Sequence, residues 1–170
     1  MSDEPISQRE FAAQIRGYQA DAFRLEWQRQ PMANERKAYR AFLAGSPLLP
    51  AEWPDWQDWL DRVREWTHRG KVISRVILLD DQPCPYQQWR IWSATWHVTA
   101  GEGIRFLPCS KAGELGIPIG NWWLFDDKRV VTMKVAAAGE VSGYTLTTEV
   151  SDYCAWRDLA VRHAAETVAT

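Results

Sequence analysis

The segment Val72 to Leu79, VISRVILL, is β-branched and nearly continuous in its apolar character, as an interior strand covered on both faces of a sheet must be. A chain that contains such a strand has to supply helices to both sides of it. The next segment begins to do so. Past Asp80, Asp81 and a proline-containing turn, Tyr86 to Thr99 places Trp89, Trp92 and Trp96 at i, i+3 and i+7, the spacing of one helical face. Ala100, Gly101 and Gly103 close that helix, and Ile104 to Leu107 reads as a short strand before Pro108. Strand, helix, strand with these connections is a βαβ unit, which predicts parallel strands joined by a right-handed crossover.

Upstream, Ser7 and Glu10 form a capping box, and Phe11, Ile15, Tyr18, Ala22 and Phe23 recur at helical spacing, which predicts a first helix from Gln8 to Leu25. Glu26 to Gln30 reads as a short extended piece and Glu35 to Leu43 as a second helix. The proline-punctuated SPLLPAEWP that follows is a loop. From Asp55, the positions Trp56, Trp59, Leu60, Val63 and Trp66 make an amphipathic helix with a tryptophan face, ended by Gly70. Val72 to Leu79 is then the first strand of the main sheet. Downstream, Ser110 to Leu115 is a short helix. Trp122 to Phe125, Arg129 to Val135 and Gly143 to Thr148 form an antiparallel meander. A last helix starts at Ser151 or Asp152 and runs to Val168. The predicted architecture is one α/β (α+β) domain spanning 1–170. Its N-terminal portion, about 8–69, is helical, and the portion from about 70 to 170 carries a mixed sheet of about five strands, with a βαβ unit, a C-terminal meander and helices on both faces.

Composition narrows the function classes. At 170 residues, one core is the default. A net charge of -2 and the lack of a helix with clustered basic residues argue against direct nucleic-acid binding. No stretch has the length needed to span a bilayer, and the polar, acidic N-terminus MSDEPISQRE has no apolar segment behind it, so a cytoplasmic location is expected, with no membrane partner. Cys84, Cys109 and Cys154 are an odd set without CxxC spacing, read as reduced thiols. Eleven tryptophans are the outlier; from the burial tendencies of Trp, about two thirds belong to the core and one third to contact surface.

The chemical candidates are few. His68, His97 and His163 lie in or at the ends of helices, where a histidine is commonly just stabilising. None has a second His or Cys at ligand spacing, so neither metal nor cofactor is expected. Asp126 and Asp127 read as a hairpin turn in preference to a catalytic carboxylate pair. Asp80 and Asp81 sit at the carboxyl edge of the sheet, where open α/β proteins place ligands, although a loop role is favoured there too. Cys84 and Cys109 follow the two parallel strands by similar offsets, with His97 the only nearby base by sequence. Serine-hydrolase, P-loop and dinucleotide signatures are absent. If any residue is catalytic, the candidates are His97, Cys84 and Asp126. Trp56, Trp59, Trp89 and Trp92 suit packing on the sheet. Three stripes together with Trp122 and Trp123, which must face opposite sides of a strand, are more than one sheet can hide. The expected ligand contacts are Trp89, Trp92, Trp96, Trp122 and Trp123, with Arg90 or Arg105 at the rim of an aromatic cleft suited to a planar or cationic small molecule, or to a partner helix.

The order WLFDD, apolar strand, glycine turn and closing helix, preceded by the VxxVxxL strand and by AGEGIRFLP (Ala100 to Pro108), resembles a family of uncharacterised actinobacterial proteins. That resemblance covers Phe11 through Trp156. It implies a regulatory setting, since such proteins are often encoded beside helix-turn-helix regulators, one of which is a candidate partner. More remotely, the βαβ unit, meander and closing helix resemble half of a phospholipase D-like fold, whose signature is His, any residue, Lys, four residues, Asp. With Asp126 as the Asp, Ile119 stands where the His belongs and Asn121 where the Lys belongs, which argues against phosphodiester hydrolysis. The expected function is non-catalytic binding of a small molecule or partner in a regulatory context. The alternative is a small enzyme of specialised metabolism that acts on an aromatic or cationic molecule in a Trp-lined pocket.

Overall fold

The chain runs β1 (Glu4–Ile6), α1 (Gln8–Gly17), β2 (Asp21–Glu26), α2 (Arg36–Leu43), α3 (Pro54–His68), β3 (Val72–Leu79), α4 (Pro85–Ala100), β4 (Gly103–Pro108), α5 (Cys109–Glu114), β5 (Trp122–Phe125), β6 (Arg129–Val135), β7 (Val141–Thr147) and α6 (Ser151–His163). This is a computed structural model and it describes residues 3–168; the two residues at each end of the expected 1–170 span lie outside the described residues. One mixed sheet orders its strands β1-β7-β6-β5-β2-β3-β4. The α/β class, the parallel β3–α4–β4 unit and the antiparallel β5–β6–β7 meander are as the sequence predicts. The sheet has seven strands instead of five.

Both extra strands come from the first 26 residues, so the N-terminal portion is not purely helical. The capping box forms, with Ser7 N–H donating to Glu10 Oε2 at 2.7 Å and Glu10 N–H to Ser7 Oγ at 3.2 Å. The helix, however, stops at Gly17 instead of Leu25, and DAFRLE becomes β2. Its alternation was hidden because both faces are covered: Phe23 and Leu25 point to one side and Ala22, Arg24 and Glu26 to the other, all buried. β2 is a central strand, parallel to β3 and antiparallel to β5. β1 is a three-residue edge strand on β7, where Pro5 is tolerated because an edge strand needs fewer donors. The final helix ends at His163 instead of Val168, after which Ala165 exchanges backbone hydrogen bonds with Phe106 at 2.7 and 2.9 Å.

The sheet separates two cores. On one face α1, α3 and α4 bring Phe11, Trp56, Leu60, Val63, Trp66 and Ala100 onto Ala22, Ile73, Trp123, Phe125 and Val131. On the other, Ala112 of α5 and Ala160 of α6 cover Phe23, Leu25, Val76, Trp122 and Leu124. Trp122 and Trp123 therefore face opposite sides, as adjacent strand residues must. Five tryptophans are buried and the other six are half-buried, so none is left as bare surface.

Candidate ligand-binding site

Three side chains in register across the sheet floor a cavity. Trp123 on β5 is the cross-strand partner of Arg24 on β2, and Arg24 that of Arg75 on β3. All three face the layer of α3 and α4. Arg90 and His97 come down from the inner face of α4, while Trp53 and Trp59 close the roof from the α3 side. The cavity, open on one side to solvent, has a volume of about 300 Å³, with Phe11, Tyr144 and Met133 on the far wall. Ring contacts link the walls: Trp53 stacks on Trp89 at 6.1 Å, and Trp59 meets Trp123 edge-on at 6.2 Å.

Under this aromatic shell runs a buried ionic chain. Glu26 Oε1 accepts Arg90 Nε at 3.1 Å, and its Oε2 accepts Arg75 Nη1 at 2.8 Å and Arg90 Nη2 at 3.3 Å. The Arg75 guanidinium then donates through Nε to Glu102 Oε1 at 2.8 Å. Glu102 Oε2 lies 2.7 Å from His97 Nδ1, and His97 Nε2 accepts the Trp56 indole N–H at 3.1 Å. Burial opposes ionisation of Glu26, but Arg90, Arg24 and Arg75 outweigh it and hold the carboxylate well below its ordinary range. Burial likewise opposes ionisation of Glu102, and Arg75 and His97 outweigh it. For His97 burial wins over the pull of Glu102, and its pKa is lowered. The geometry agrees. A ring that accepts at Nε2 and donates at Nδ1 is the neutral imidazole.

Arg24 stands outside this chain of pairs. It is 9% exposed, and its buried Nε and Nη2 atoms have no hydrogen-bond partner. Its guanidinium carbon lies 5.5 Å from the Trp123 ring centroid, a cation–π contact. Burial, together with the nearby Arg75 and Arg90 charges, disfavours its charged form, with Glu26 the largest opposing influence.

Of the residues singled out from sequence, Trp89, Arg90, His97 and Trp123 line this cavity. Trp92 and Trp96 pack behind Trp56, in the seam between α3 and α4, at 6.3 and 5.5 Å. Trp122 lies on the opposite face against Phe23 and Tyr153. Arg105 lies in a separate hollow, 3.5 Å from Glu166. Cys84 caps the start of α4 while His97 is in its last turn, on the order of 20 Å away at 1.5 Å per residue. The Cys109 thiol is pushed up to about 11 by burial and by Asp80. Asp126 is occupied with backbone: its Oδ2 accepts Gln19 N–H at 2.8 Å, and its Oδ1 accepts Ala20 and Asp21 N–H at 2.7 and 3.0 Å. Asp127 pairs with Arg157, and Asp81 accepts the Ser110 hydroxyl at 2.7 Å.

Sequence reasoning missed Arg24, Glu26, Arg75 and Glu102. Arg24 falls at the end of the first predicted helix, Glu26 at the start of the short extended piece predicted after it, and Arg75 inside an apolar run. The available signal was a charged residue in the middle of a strand that must be covered on both faces, since such a charge has to be paired or functional.

A family model matches residues 9–169, and the chain therefore belongs to DUF6879, a domain of unknown function. No curated protein matches the sequence.

Proposed function

We propose that this DUF6879 protein is a binding protein for a small molecule, which it holds in the cavity between β5-β2-β3 and the α3–α4 layer. The observation that carries the reading is a preformed aromatic cavity of about 300 Å³ floored by fixed ionic groups. That volume is at the lower end of what ligand sites occupy and suits a ligand of one or two rings. The enzyme alternative has less support. Both His97 ring nitrogens are engaged, by Glu102 and Trp56, and the nearby Ser93 hydroxyl donates to the Arg90 carbonyl at 3.1 Å. A general base with neither nitrogen free and no nucleophile in reach has nothing to activate.

The phospholipase D-like resemblance adds no phosphodiesterase chemistry. Asn121, at the position of the motif lysine, clamps the Trp27 backbone through N–H and C=O bonds of 2.9 and 2.7 Å, and Ile119 is exposed. The resemblance to actinobacterial proteins encoded beside helix-turn-helix regulators supports a regulatory role for such a ligand-binding domain, and we place that role in the cytoplasm as part of the same proposal. Among the described residues, no helix is long and apolar enough to cross a membrane. A thermal-shift and intrinsic-fluorescence screen of aromatic metabolites tests the reading. Ligands should raise the melting temperature and perturb emission in the wild type, and a Trp123→Leu variant should lose both responses. A well-folded wild-type protein that responds to no compound across a broad set sinks it.

A further inference from the structure

We propose that the ligand is a planar aromatic anion, a carboxylate carried on one or two rings, held by the Arg24 guanidinium over Trp123. The inference rests on the binding reading above and adds the sign and shape of the ligand.

The argument starts from charge. Between the sheet and the α3–α4 layer, the guanidiniums of Arg24, Arg75 and Arg90 face the carboxylates of Glu26 and Glu102. Arg75 and Arg90 bind those carboxylates directly, and each carboxylate oxygen already accepts at least one bond. Of the two other acidic residues on the lining, Glu35 is half-buried and Asp55 exposed. Glu35 Oε2 accepts the Tyr86 hydroxyl at 3.0 Å and Met32 N–H at 2.9 Å, and Asp55 is exposed in the first turn of α3. His97 is neutral. The buried set thus has one positive charge in excess, and that charge sits on the side chain whose Nε and Nη2 have no hydrogen-bond partner.

An unpaired guanidinium in a low-dielectric site is costly, and an apolar residue there would pack without that cost. The arrangement makes physical sense when an anion completes it. Aromatic walls alone suggest a cation, but a cation would add to an existing positive excess. A carboxylate supplies two acceptors in a plane, matching the guanidinium fork. Placed there, its attached ring lies between Trp123, Trp59 and Tyr144, all on the same cavity lining.

The test is a matched ligand series on the full chain, read by calorimetry and tryptophan fluorescence: indole-3-acetate, indole-3-acetamide and tryptamine, with benzoate, benzamide and benzylamine as a smaller set. The carboxylate of at least one set should bind on the order of tenfold or more tighter than its amide, the value of a charge-assisted hydrogen bond, and the amine should not bind detectably. Arg24→Met should erase the discrimination while the protein remains folded by circular dichroism, and Arg24→Lys should restore it only in part. Equal binding of amide or amine, or an Arg24→Met variant that keeps the carboxylate affinity, overturns the anion inference and leaves the binding reading standing. If no member of either set binds, the anion inference also falls, and the broader screen described above decides the binding reading on its own.

Discussion

Arg24 and Arg75 are register partners on adjacent parallel strands and face the same layer, yet only Arg75 has carboxylates, Glu26 and Glu102, each at 2.8 Å. Opposed like charges weaken a strand pair, and here one of the two is also unpaired. Substitutions at the two positions should therefore have opposite signs. Arg75→Met leaves the buried Glu102 without its guanidinium partner and Glu26 with Arg90 alone, and should cost about 3–5 kcal/mol. Arg24→Met removes a buried cation whose Nε and Nη2 have no hydrogen-bond partner, against the loss of its longer-range attraction to Glu26, and should be neutral or stabilising by up to about 2 kcal/mol. Urea denaturation of both variants checks this. If Arg24→Met is as damaging as Arg75→Met, Arg24 is a structural member of the ionic chain and not a spare charge.

His97 makes stability depend on pH in a defined window. Its folded pKa is lowered, so as pH falls the unfolded chain, near the ordinary value of about 6.5, takes up a proton that the folded ring refuses. Stability should fall as pH drops from about 7 toward the folded pKa. Protonating the ring would also turn Nε2 into a donor facing the Trp56 N–H, 3.1 Å away. Glu102 contributes in a lower window. Its folded pKa is depressed, so its stabilisation is present above the ordinary carboxylate pKa and is lost on further acidification. Urea midpoints should show a slope between pH 5 and 7 that is absent in His97→Gln. A wild type that is flat across that range contradicts the assignment.

The sheet was legible wherever a strand differed from its surroundings. Val72–Leu79 has the predicted bounds, and β5 and β6 match as well, because β-branched runs flanked by turn residues have no helical alternative. β2 was not legible, because Phe11, Ile15, Tyr18, Ala22 and Phe23 continue a helical spacing by coincidence and because burial on both faces erases alternation. The same misreading hid the floor of the cavity. Trp89, Arg90 and His97 are legible because the sequence predicts α4, whereas Arg24 lies on a strand whose spacing predicts a helix and Glu26 at the join between that helix and a predicted extended piece. Glu102 sits unremarked between Gly101 and Gly103, which close the predicted helix; its pairing with Arg75 spans 27 residues, a separation that no local pattern encodes.

Two left-handed glycines allow a test of packing apart from strain. Gly45 has φ +80° with open space where a Cβ would stand, whereas Gly139, at φ +92°, would place a Cβ 2.3 Å from the Pro31 carbonyl oxygen. Gly45→Ala should cost about 1 kcal/mol, from backbone strain alone. Gly139→Ala should cost clearly more, because the β6–β7 turn must also move off the loop after β2. Equal losses in thermal denaturation would show that the turn yields freely.

Asp126 is one of the three residues that a catalytic reading singles out, and its geometry predicts a loss of stability in place of a loss of chemistry. The residue adopts φ 55°, and its carboxylate gathers three backbone N–H groups from the α1–β2 connection. Burial opposes its ionisation, but those donors and Arg129 outweigh it, and its pKa is lowered. Asp126→Asn keeps a side chain that tolerates the left-handed conformation and retains one acceptor oxygen, so it should cost about 1 kcal/mol. Asp126→Ala removes every acceptor and adds strain, for roughly 2–3 kcal/mol. Because the folded pKa is depressed, the wild-type advantage over Asp126→Ala is present above the ordinary aspartate pKa of about 3.9 and should shrink as pH falls below it. The decisive comparison is of ligand affinity and stability in the same variants. Asp126→Asn should bind cavity ligands as the wild type does, since Asp126 lies outside the cavity lining, and a large loss of binding with unchanged stability would return the residue to the functional site.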